Sequence, residues 1–442
     1  LLDLVVLGVV VAMFIAAPVL VVTHNRGRLK DWRQAAERYG MIVVKASKLP
    51  VFLRLTARSG PVEIRIKEEK NDVRVAATVE GPPELSQVVI RREILNLPGT
   101  REIEIGDETF DWKFLVRGPL PFVCALLNAP VRSMLREADA LNELSISNGK
   151  LRIEVPESKL DRALGLFRDL GRRFAETQDV PRLLLENVRQ DPVPEVRLLN
   201  LTVLIREYPG DPSTEEALRI ASHDASPQVR LKAALELGAE GYDGLLSLAE
   251  RLEDDAVSAR AVAALGSAQP LDFLQSVLAG AQEKQMFGTA RACLEALGGL
   301  GRAAIETLAE VMARDSSELA ATAALGLGAT GDPAAEPPLL AALARDNPAL
   351  QAAAAEALGR VGSVDSVLPL QEAAERSGAL RKAARQAIAD IQARLEGAVP
   401  GQLSLATTEA GQLSLATEAG QLSLAPHQAG QLSLPPERAR AR

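Results

Sequence analysis

The residues best suited to nucleophilic or metal chemistry are few in this chain and lie far apart. The cysteines are Cys124 and Cys293, and the histidines are His24, His223 and His427. A zinc site needs several Cys or His ligands at short spacing, and an activated nucleophile needs a base beside it. Neither arrangement can be assembled from these positions. We therefore predict no catalytic, metal-binding or cofactor-binding residues and no cofactor, and the binding residues stay unknown at this stage.

Residues 106–111 read GDETFD, an acidic cluster that resembles part of a metal-binding loop. Octahedral oxygen ligation needs further carboxylates, and the sequence places no second group beside this one. We therefore predict a Gly-Asp turn followed by a strand in which Phe110, Trp112 and Phe114 alternate.

Acidic residues also recur at turns in the second half of the chain, where the expected chemistry is structural. An aspartate at such a turn can cap the next helix, because its carboxylate accepts from free backbone N–H groups. Three of these aspartates have an arginine six residues on, which predicts a ladder of ion pairs between repeats. The turn acids are Asp191, Asp224, Asp254, Asp315 and Asp346, and the pairs are Asp191/Arg197, Asp224/Arg230 and Asp254/Arg260.

The elements that carry these turns are copies of one alanine-rich helix, which usually closes on Leu-Gly. Six clear copies and one degenerate copy (196–205) recur about every 30 residues, and their apolar anchors, such as Leu297, are expected to be buried. The clear copies start at residues 229, 258, 289, 319, 350 and 380. Repeats of this period predict an α-solenoid, since one helical pair cannot bury its apolar face alone. We predict about 6–7 helical pairs over residues 181–396.

The segment Asp224–Arg230 has the form D-x-x-P-x-V-R and is followed by KAALELG, which resembles HEAT repeats. The short period is similar to the HEAT-like subtype first associated with phycobilin lyases. This resemblance implies a protein-binding scaffold that uses the surface of the second helix of each pair. The same subtype includes enzymes, so a lyase is the rival interpretation. A third interpretation makes the preceding domain a sensor and the solenoid its reader.

Residues 30–180 have a different pattern, typical of a compact α+β domain. Residues 62–68 and 72–80 alternate apolar and polar residues around Lys70-Asn71, and residues 143–155 do so around Asn148-Gly149. Such alternation on both sides of a turn predicts β-hairpins. The pattern G-D-x-x-F-D-x-x-F-x-V-x-G at 106–118 is similar to one in uncharacterised bacterial membrane-anchored proteins.

Residues 4–22 are 19 residues without a charge, long enough at about 1.5 Å per residue to cross the hydrocarbon core of a bilayer. We predict a transmembrane anchor with a basic flank over residues 1–29, which would contact the lipid bilayer. Basic residues lie only after this stretch, and the positive-inside rule then places the bulk of the chain in the cytoplasm. The expectation is a single-pass membrane protein.

The charge is unevenly distributed, which bears on the partner. Residues 1–180 carry a net charge of +3, residues 181–396 carry −11, and residues 397–442 are neutral. An acidic array with few aromatic residues repels phosphate backbones and offers no platform for base stacking, so nucleic acid is not expected. We predict a basic protein partner, with an unknown oligomeric state. The GQLSLA repeats of residues 397–442 are expected to be disordered, because such short units cannot form a core.

Overall fold

The structure, a computed structural model of the 442-residue chain, contains two compact units. The first unit is Leu1–Leu237 and the second is Gly238–Arg442. The structure describes residues 21–47, 53–69, 72–92, 102–314, 318–376, 378, 380–394, 403–405 and 413–415. The first helical repeats thus share a unit with the sheet, and the boundary at 180/181 remains a prediction.

An eight-stranded antiparallel sheet is the main feature of the first unit. Its strands lie in the order β1-β2-β3-β4-β8-β7-β5-β6. The strands are β1 Ile42–Ala46, β2 Arg54–Ser59, β3 Val62–Glu69, β4 Asp72–Val79, β5 Val89–Arg92, β6 Phe114–Arg117, β7 Ser145–Ser147 and β8 Lys150–Val155.

Alternation along the strands decides which face of the sheet is buried. In β3, Val62, Ile64 and Ile66 are buried, and the residues between them face the opposite side. The hairpins predicted on either side of residues 70–71 and 148–149 are confirmed, since β3 pairs with β4 and β7 with β8. Asn148 and Gly149 have φ values of 52° and 65°, as a two-residue type I′ turn requires. Residues 70 and 71 themselves lie outside the described residues.

Helices cover the buried face of the sheet. They are α1 (residues 21–38), α2 Glu108–Asp111, α3 Leu120–Leu126, α4 Ala129–Leu141 and α5 Leu160–Glu176. The long helix α5 packs on β3, β4 and β8, and its Phe167 and Phe174 are fully buried. Trp32 of α1 is also buried and donates its indole N–H to Glu157. One hydrophobic core therefore joins the sheet to these helices.

The segment 106–118 differs from its predicted turn and alternating strand. Asp107 caps the short helix α2, so the strand β6 begins only at Phe114. Phe110 and Phe114 are both buried, with ring centroids 4.7 Å apart, whereas Trp112 is 74% exposed. The predicted strand was wrong at its start because a capped helical turn satisfies the backbone there.

Four helices complete the first unit, and they continue the helical repeat. They are α6 Val180–Gln190, α7 Pro194–Glu207, α8 Pro212–Ala221 and α9 Pro227–Leu237. Leu184, Leu201 and Leu204 lie in a core that also contains Cys124 and Ala125 of α3. Through α3, the repeats are joined to the sheet domain by direct apolar packing.

The second unit consists of ten alternating helices in its described part. The odd-numbered helices are the alanine-rich first helices of the repeats: α11 Asp255–Leu265, α13 Phe287–Gly298, α15 Glu318–Ala329, α17 Pro348–Val361 and α19 Leu380–Arg394. The second helices are α10 Tyr242–Arg251, α12 Leu271–Glu283, α14 Ile305–Arg314, α16 Glu336–Leu343 and α18 Val367–Arg376. Each first helix from α13 onward packs on the first helix before it, and Leu297 is fully buried, as expected.

The predicted membrane anchor requires a correction. Within the described part of the chain, no helix combines the length and the apolar character needed to cross a bilayer. Residues 4–20 of the predicted span lie outside the described residues, and Val21 and Val22 belong to α1, which carries charged residues from Arg26 onward. This finding overturns the fold class as predicted, with its transmembrane helix, and with it the single-pass membrane localisation and the cytoplasmic orientation.

The tail also differs from its prediction. Leu403–Leu405 (β9) and Leu413–Leu415 (β10) form a short antiparallel pair, with Ser404 opposite Ser414. Each strand is the Leu-Ser-Leu core of one GQLSLA repeat, so these two copies have regular structure where disorder was expected. The remaining residues of 397–442 lie outside the described residues.

Candidate functional site

A chain of aspartate–arginine contacts holds the first repeats in register. Arg197 of α7 binds both carboxylate oxygens of Asp224 at 2.7 Å and donates to the backbone carbonyl of Asp191 at 2.8 Å. Burial raises the pKa of Asp224, but the hydrogen bonds from Arg197 and the Ser226 backbone, together with the charges of Arg197 and Arg230, outweigh it, and this pKa is lowered. This contact confirms the predicted ladder between these two repeats.

The ladder extends into the sheet domain through Arg132 of α4, which the sequence did not indicate. Its guanidinium donates to both carboxylate oxygens of Asp191, at 2.8 and 3.0 Å, and to the carbonyl of Leu127 at 2.9 Å. Nε also binds Asp107 at 2.7 Å. Arg132 is 1% exposed, and each of its three guanidinium nitrogens donates at least one hydrogen bond. Arg132 thus binds Asp191 in the same way as Arg197 binds Asp224 in the following repeat.

The predicted helix caps are found at only one of the five aspartates. Asp254 accepts from the backbone N–H of Val257 at 2.9 Å and caps α11. Asn347, rather than Asp346, caps α17. Asp191 and Asp224 accept from N–H groups two residues on and bind arginines, and Asp315 lies outside the described residues. Arg260 of α11 is exposed.

A different contact takes over between α11 and α13. The carboxylate of Asp255 accepts from the backbone N–H groups of Gly288 and Thr289 at 2.9 and 2.7 Å, and from the Thr289 hydroxyl at 2.8 Å. Burial raises the pKa of Asp255, and the hydrogen bonds from Thr289 and Gly288 lower it by more. At this step a carboxylate of one first helix is thus bound to the start of the next, while the second helices present a surface.

Acidic residues are concentrated on that surface. The five second helices of the second unit carry nine acidic and three basic residues, whereas the five first helices carry five acidic and seven basic residues, four of them on α19. The acidic face is defined here by the exposed carboxylates of the second helices: Asp243, Glu250, Asp272, Glu283, Glu306, Glu310, Glu372 and Glu375. The negative charge predicted for the array as a whole is thus directed to one set of helices.

A groove crosses the acidic face between α12 and α14. Its volume is about 570 Å³, and it is lined by apolar atoms of Leu278, Ala279 and Val311. Glu306 and Glu310, one helical turn apart, stand along its α14 side. Arg314 also lines this side and pairs with Glu310 at 3.4 Å, so the groove offers an apolar floor beside two carboxylates and one exposed arginine.

A second groove of the same kind lies between α16 and α18. It has a volume of about 640 Å³, its floor comes from Leu340, Leu343 and Pro369, and its α18 side carries Glu372 and Glu375. Lysine and arginine fit such grooves, because the alkyl stem can lie on apolar surface while the charged end reaches a carboxylate. With helix spacings of 8–10 Å, the two grooves are roughly 20 Å apart.

Each unit contains one buried cysteine. Cys124 and Cys293 are free thiols, and burial raises the pKa of each to about 12, so both are protonated at neutral pH. Within the described ranges, no group of three or more His, Cys, Asp or Glu side chains is placed to hold a metal ion. The sequence indicated no binding residue. The grooves form where two second helices lie side by side, so they could not be located from the sequence.

Comparison with known proteins supports the repeat architecture. No curated protein matches this chain. The structure of human deoxyhypusine hydroxylase in complex with glycerol is similar to 48% of this chain and covers 96% of its own chain. The sequence identity is 19% and the TM-score is 0.22, which are too low to indicate a function. Residues 305–389, which span α14 to most of α19, match the family model of HEAT repeats. The chain therefore contains HEAT repeats within its helical array.

Proposed function

We propose that this protein is a scaffold whose acidic face binds a basic segment of a protein partner, without catalysis. The observation that carries the proposal is the segregation of carboxylates onto the second helices, beside grooves with apolar floors. HEAT repeats commonly mediate protein–protein interaction, and the family match at 305–389 covers α14, α16 and α18 of this face.

The spacing of the grooves specifies the partner further. An extended chain advances about 3.3 Å per residue, so roughly six residues span the 20 Å between the grooves. The partner segment would carry two clusters of lysine or arginine about six residues apart. Few aromatic residues are available on this face as binding anchors, so we expect moderate affinity that depends on charge.

The proposal can be tested by titrating the full chain with a labelled peptide that has two Lys-Lys pairs six residues apart. A peptide of the same composition with its four lysines adjacent is the control. We expect the spaced peptide to bind more tightly, and its affinity to fall steeply between low salt and several hundred millimolar, because salt screens exposed charges beyond about 8 Å at physiological ionic strength. Removing residues 397–442 should change the affinity little. Equal binding of both peptides, or binding that salt does not alter, would contradict the proposal.

A further inference from the structure

The sheet of the first unit has one face on which most strand residues are exposed or half-buried, and this face is basic. At its β6 end Leu115, which lies on the same face, is buried. Strand alternation and cross-strand register place ten basic and four acidic residues of the strands on it. The basic residues are Lys45, Arg54, Arg58, Arg65, Lys67, Arg74, Arg91, Arg117, Lys150 and Arg152, and the acidic ones are Glu63, Glu69, Asp72 and Glu154. The term basic sheet face refers to this set.

Ion pairs neutralise only one side of the basic sheet face. Glu69 contacts Lys67 and Arg74 at 2.8 and 3.1 Å, and Glu63 contacts Arg65 at 2.7 Å. All of these pairs involve β3 or β4. On β5, β6 and β8, by contrast, the described residues provide no ion-pair partner for Arg91, Arg117, Lys150 or Arg152.

These unpaired cations border a trough that runs along β7. Ser145 lies opposite Arg91 of β5 on one side and opposite Arg152 of β8 on the other. Ser147 lies opposite Lys150 in the same way. Two strand spacings of about 4.8 Å separate the walls, so the trough is roughly 10 Å wide at the backbone. Its floor consists of small hydroxyl side chains. Its β8 wall carries Lys150 and Arg152, and its β5 wall carries Arg91 and the apolar Val89.

The trough continues into a groove at one end. Beside Ser145 and Arg152 the trough opens into a groove of about 680 Å³, whose far side carries Glu143 and Glu154. Arg74 also lines this groove and pairs with Glu154 at 2.5 Å, so Glu143 is the carboxylate at this end of the trough that has no ion pair among the described residues.

We propose that the trough along β7 binds an extended acidic segment of a partner protein. Carboxylates on alternate residues of an extended chain lie about 6.6 Å apart, the same spacing as Lys150 and Arg152 on β8. The serine hydroxyls of the floor can donate to a carboxylate or accept from a backbone N–H. This interaction involves the first unit and an acidic partner segment, and is therefore independent of the acidic face of the second unit.

A nucleic acid fits the same surface less well. The described strands place no aromatic side chain on this face, and single-stranded nucleic acid binding relies on aromatic stacking. Glu143 and Glu154 at the end of the trough would also repel a phosphate backbone that continued along it. An acidic peptide can end or change composition at that point.

The experiment measures binding of a fluorescein-labelled peptide of five Glu-Ser repeats to the full chain at low salt. Arg152→Glu should weaken the affinity at least tenfold, because it reverses a wall charge of the trough. The matched control is Arg65→Glu, an exposed arginine on the same face that already pairs with Glu63, and it should change the affinity less than threefold. Circular dichroism checks that both variants fold, and Lys150→Glu provides a second trough variant with the same expectation.

Three results would overturn the proposal. Equal losses in Arg152→Glu and Arg65→Glu would show general charge attraction rather than a site along β7. A labelled ten-residue oligothymidylate that bound more tightly than the peptide, with the same sensitivity to Arg152→Glu, would assign the surface to nucleic acid. Light scattering that showed a dimer dissociated by Arg152→Glu would assign it to a second copy of the chain. The peptide should also bind Glu310→Lys unchanged, which separates this test from that of the acidic face.

Discussion

At the scale of single residues, Arg132 is the side chain that bridges the sheet domain and the first repeats. It is 1% exposed and lies between Asp107 and Asp191, whose side chains are 8% and 1% exposed. A buried ion pair is weak evidence for stability, but removal of one partner leaves an uncompensated charge in a low-dielectric site. Because Asp107 belongs to the sheet domain and Asp191 to the repeats, the contact also fixes one to the other.

We predict that Arg132→Met lowers the free energy of unfolding of the first unit by about 3–5 kcal/mol. The substitution leaves the buried carboxylate of Asp191 without an ion-pair partner among the described residues, and Asp107 keeps only Arg136 as a charged partner. Arg162→Met removes an arginine that pairs with Glu137 at 2.7 Å but is 63% exposed, and it should cost less than about 1 kcal/mol. Urea unfolding followed by tryptophan fluorescence measures both, since Trp32 and Trp112 lie in the first unit. Equal losses in the two variants would contradict the role given to Arg132.

The same contact makes stability depend on pH. Burial raises the pKa of Asp107, yet hydrogen bonds from Thr109 and Arg132 outweigh it and hold this pKa at about 2, below its ordinary 3.8. A carboxyl group with a lowered pKa in the folded state contributes stability above its unfolded pKa and loses it as the pH falls through the folded value. The unfolding free energy of the first unit should therefore decline between about pH 4 and pH 2, and less steeply in Asp107→Asn. Identical slopes would exclude Asp107 as the cause.

At the scale of elements, the recurring Leu-Gly has two different roles. Gly238 and Gly266 follow their helices with φ values of 57° and 60°, a conformation that glycine adopts readily, and no atom lies near their Cβ positions. Gly328, by contrast, lies inside α15 where α17 packs on it, and a Cβ there would meet Ala357 Cα and Cβ at 2.7 Å. In the later repeats, glycine thus allows first helices to approach closely.

This close approach gives a prediction for Gly328→Ala. We expect it to destabilise the second unit by about 1–3 kcal/mol, because the added methyl group overlaps with backbone atoms of α17. Gly27→Ala is the control, since Gly27 also lies in a helix but has no atom within 4 Å of its Cβ position. Labelling of the buried thiol Cys293 reports opening of the second unit and should accelerate only in Gly328→Ala. Unchanged labelling would show that the helices can separate at little cost.

The elements also show how far the sequence alone could lead. Period and alternation located the alanine-rich helices and both hairpins, because these signals are local. They did not indicate β1 or β2, the edge of the sheet, because β1 begins with three consecutive apolar residues and β2 has only Leu55 and Ala57 as apolar residues, so apolar alternation is weak in both. Arg132 was missed for a different reason, since its partner Asp191 is 59 residues away in the chain. The apolar run at 4–22 was interpreted as a membrane anchor from composition alone, and the structure does not support that interpretation.

At the scale of the molecule, the two units carry surfaces of opposite charge. The basic sheet face belongs to the first unit and the acidic face to the second, while the sequence revealed only net charges of +3 for residues 1–180 and −11 for residues 181–396. Net charge does not show which side chains share a face, because that depends on strand register and helix pairing. The acidic character of the array could therefore be predicted from the sequence. The grooves that we assign to binding could not.

The most direct test of the acidic face compares Glu310→Lys with Glu356→Lys in the full chain. Both glutamates pair with an arginine four residues on and are similarly exposed, at 52% and 56%, but Glu310 lies in the groove between α12 and α14 and Glu356 lies on the first helix α17. The account predicts that Glu310→Lys weakens binding of the peptide with spaced lysine pairs at least fivefold, and that Glu356→Lys changes it less than twofold. Equal weakening by both variants would contradict the assignment of binding to the acidic face.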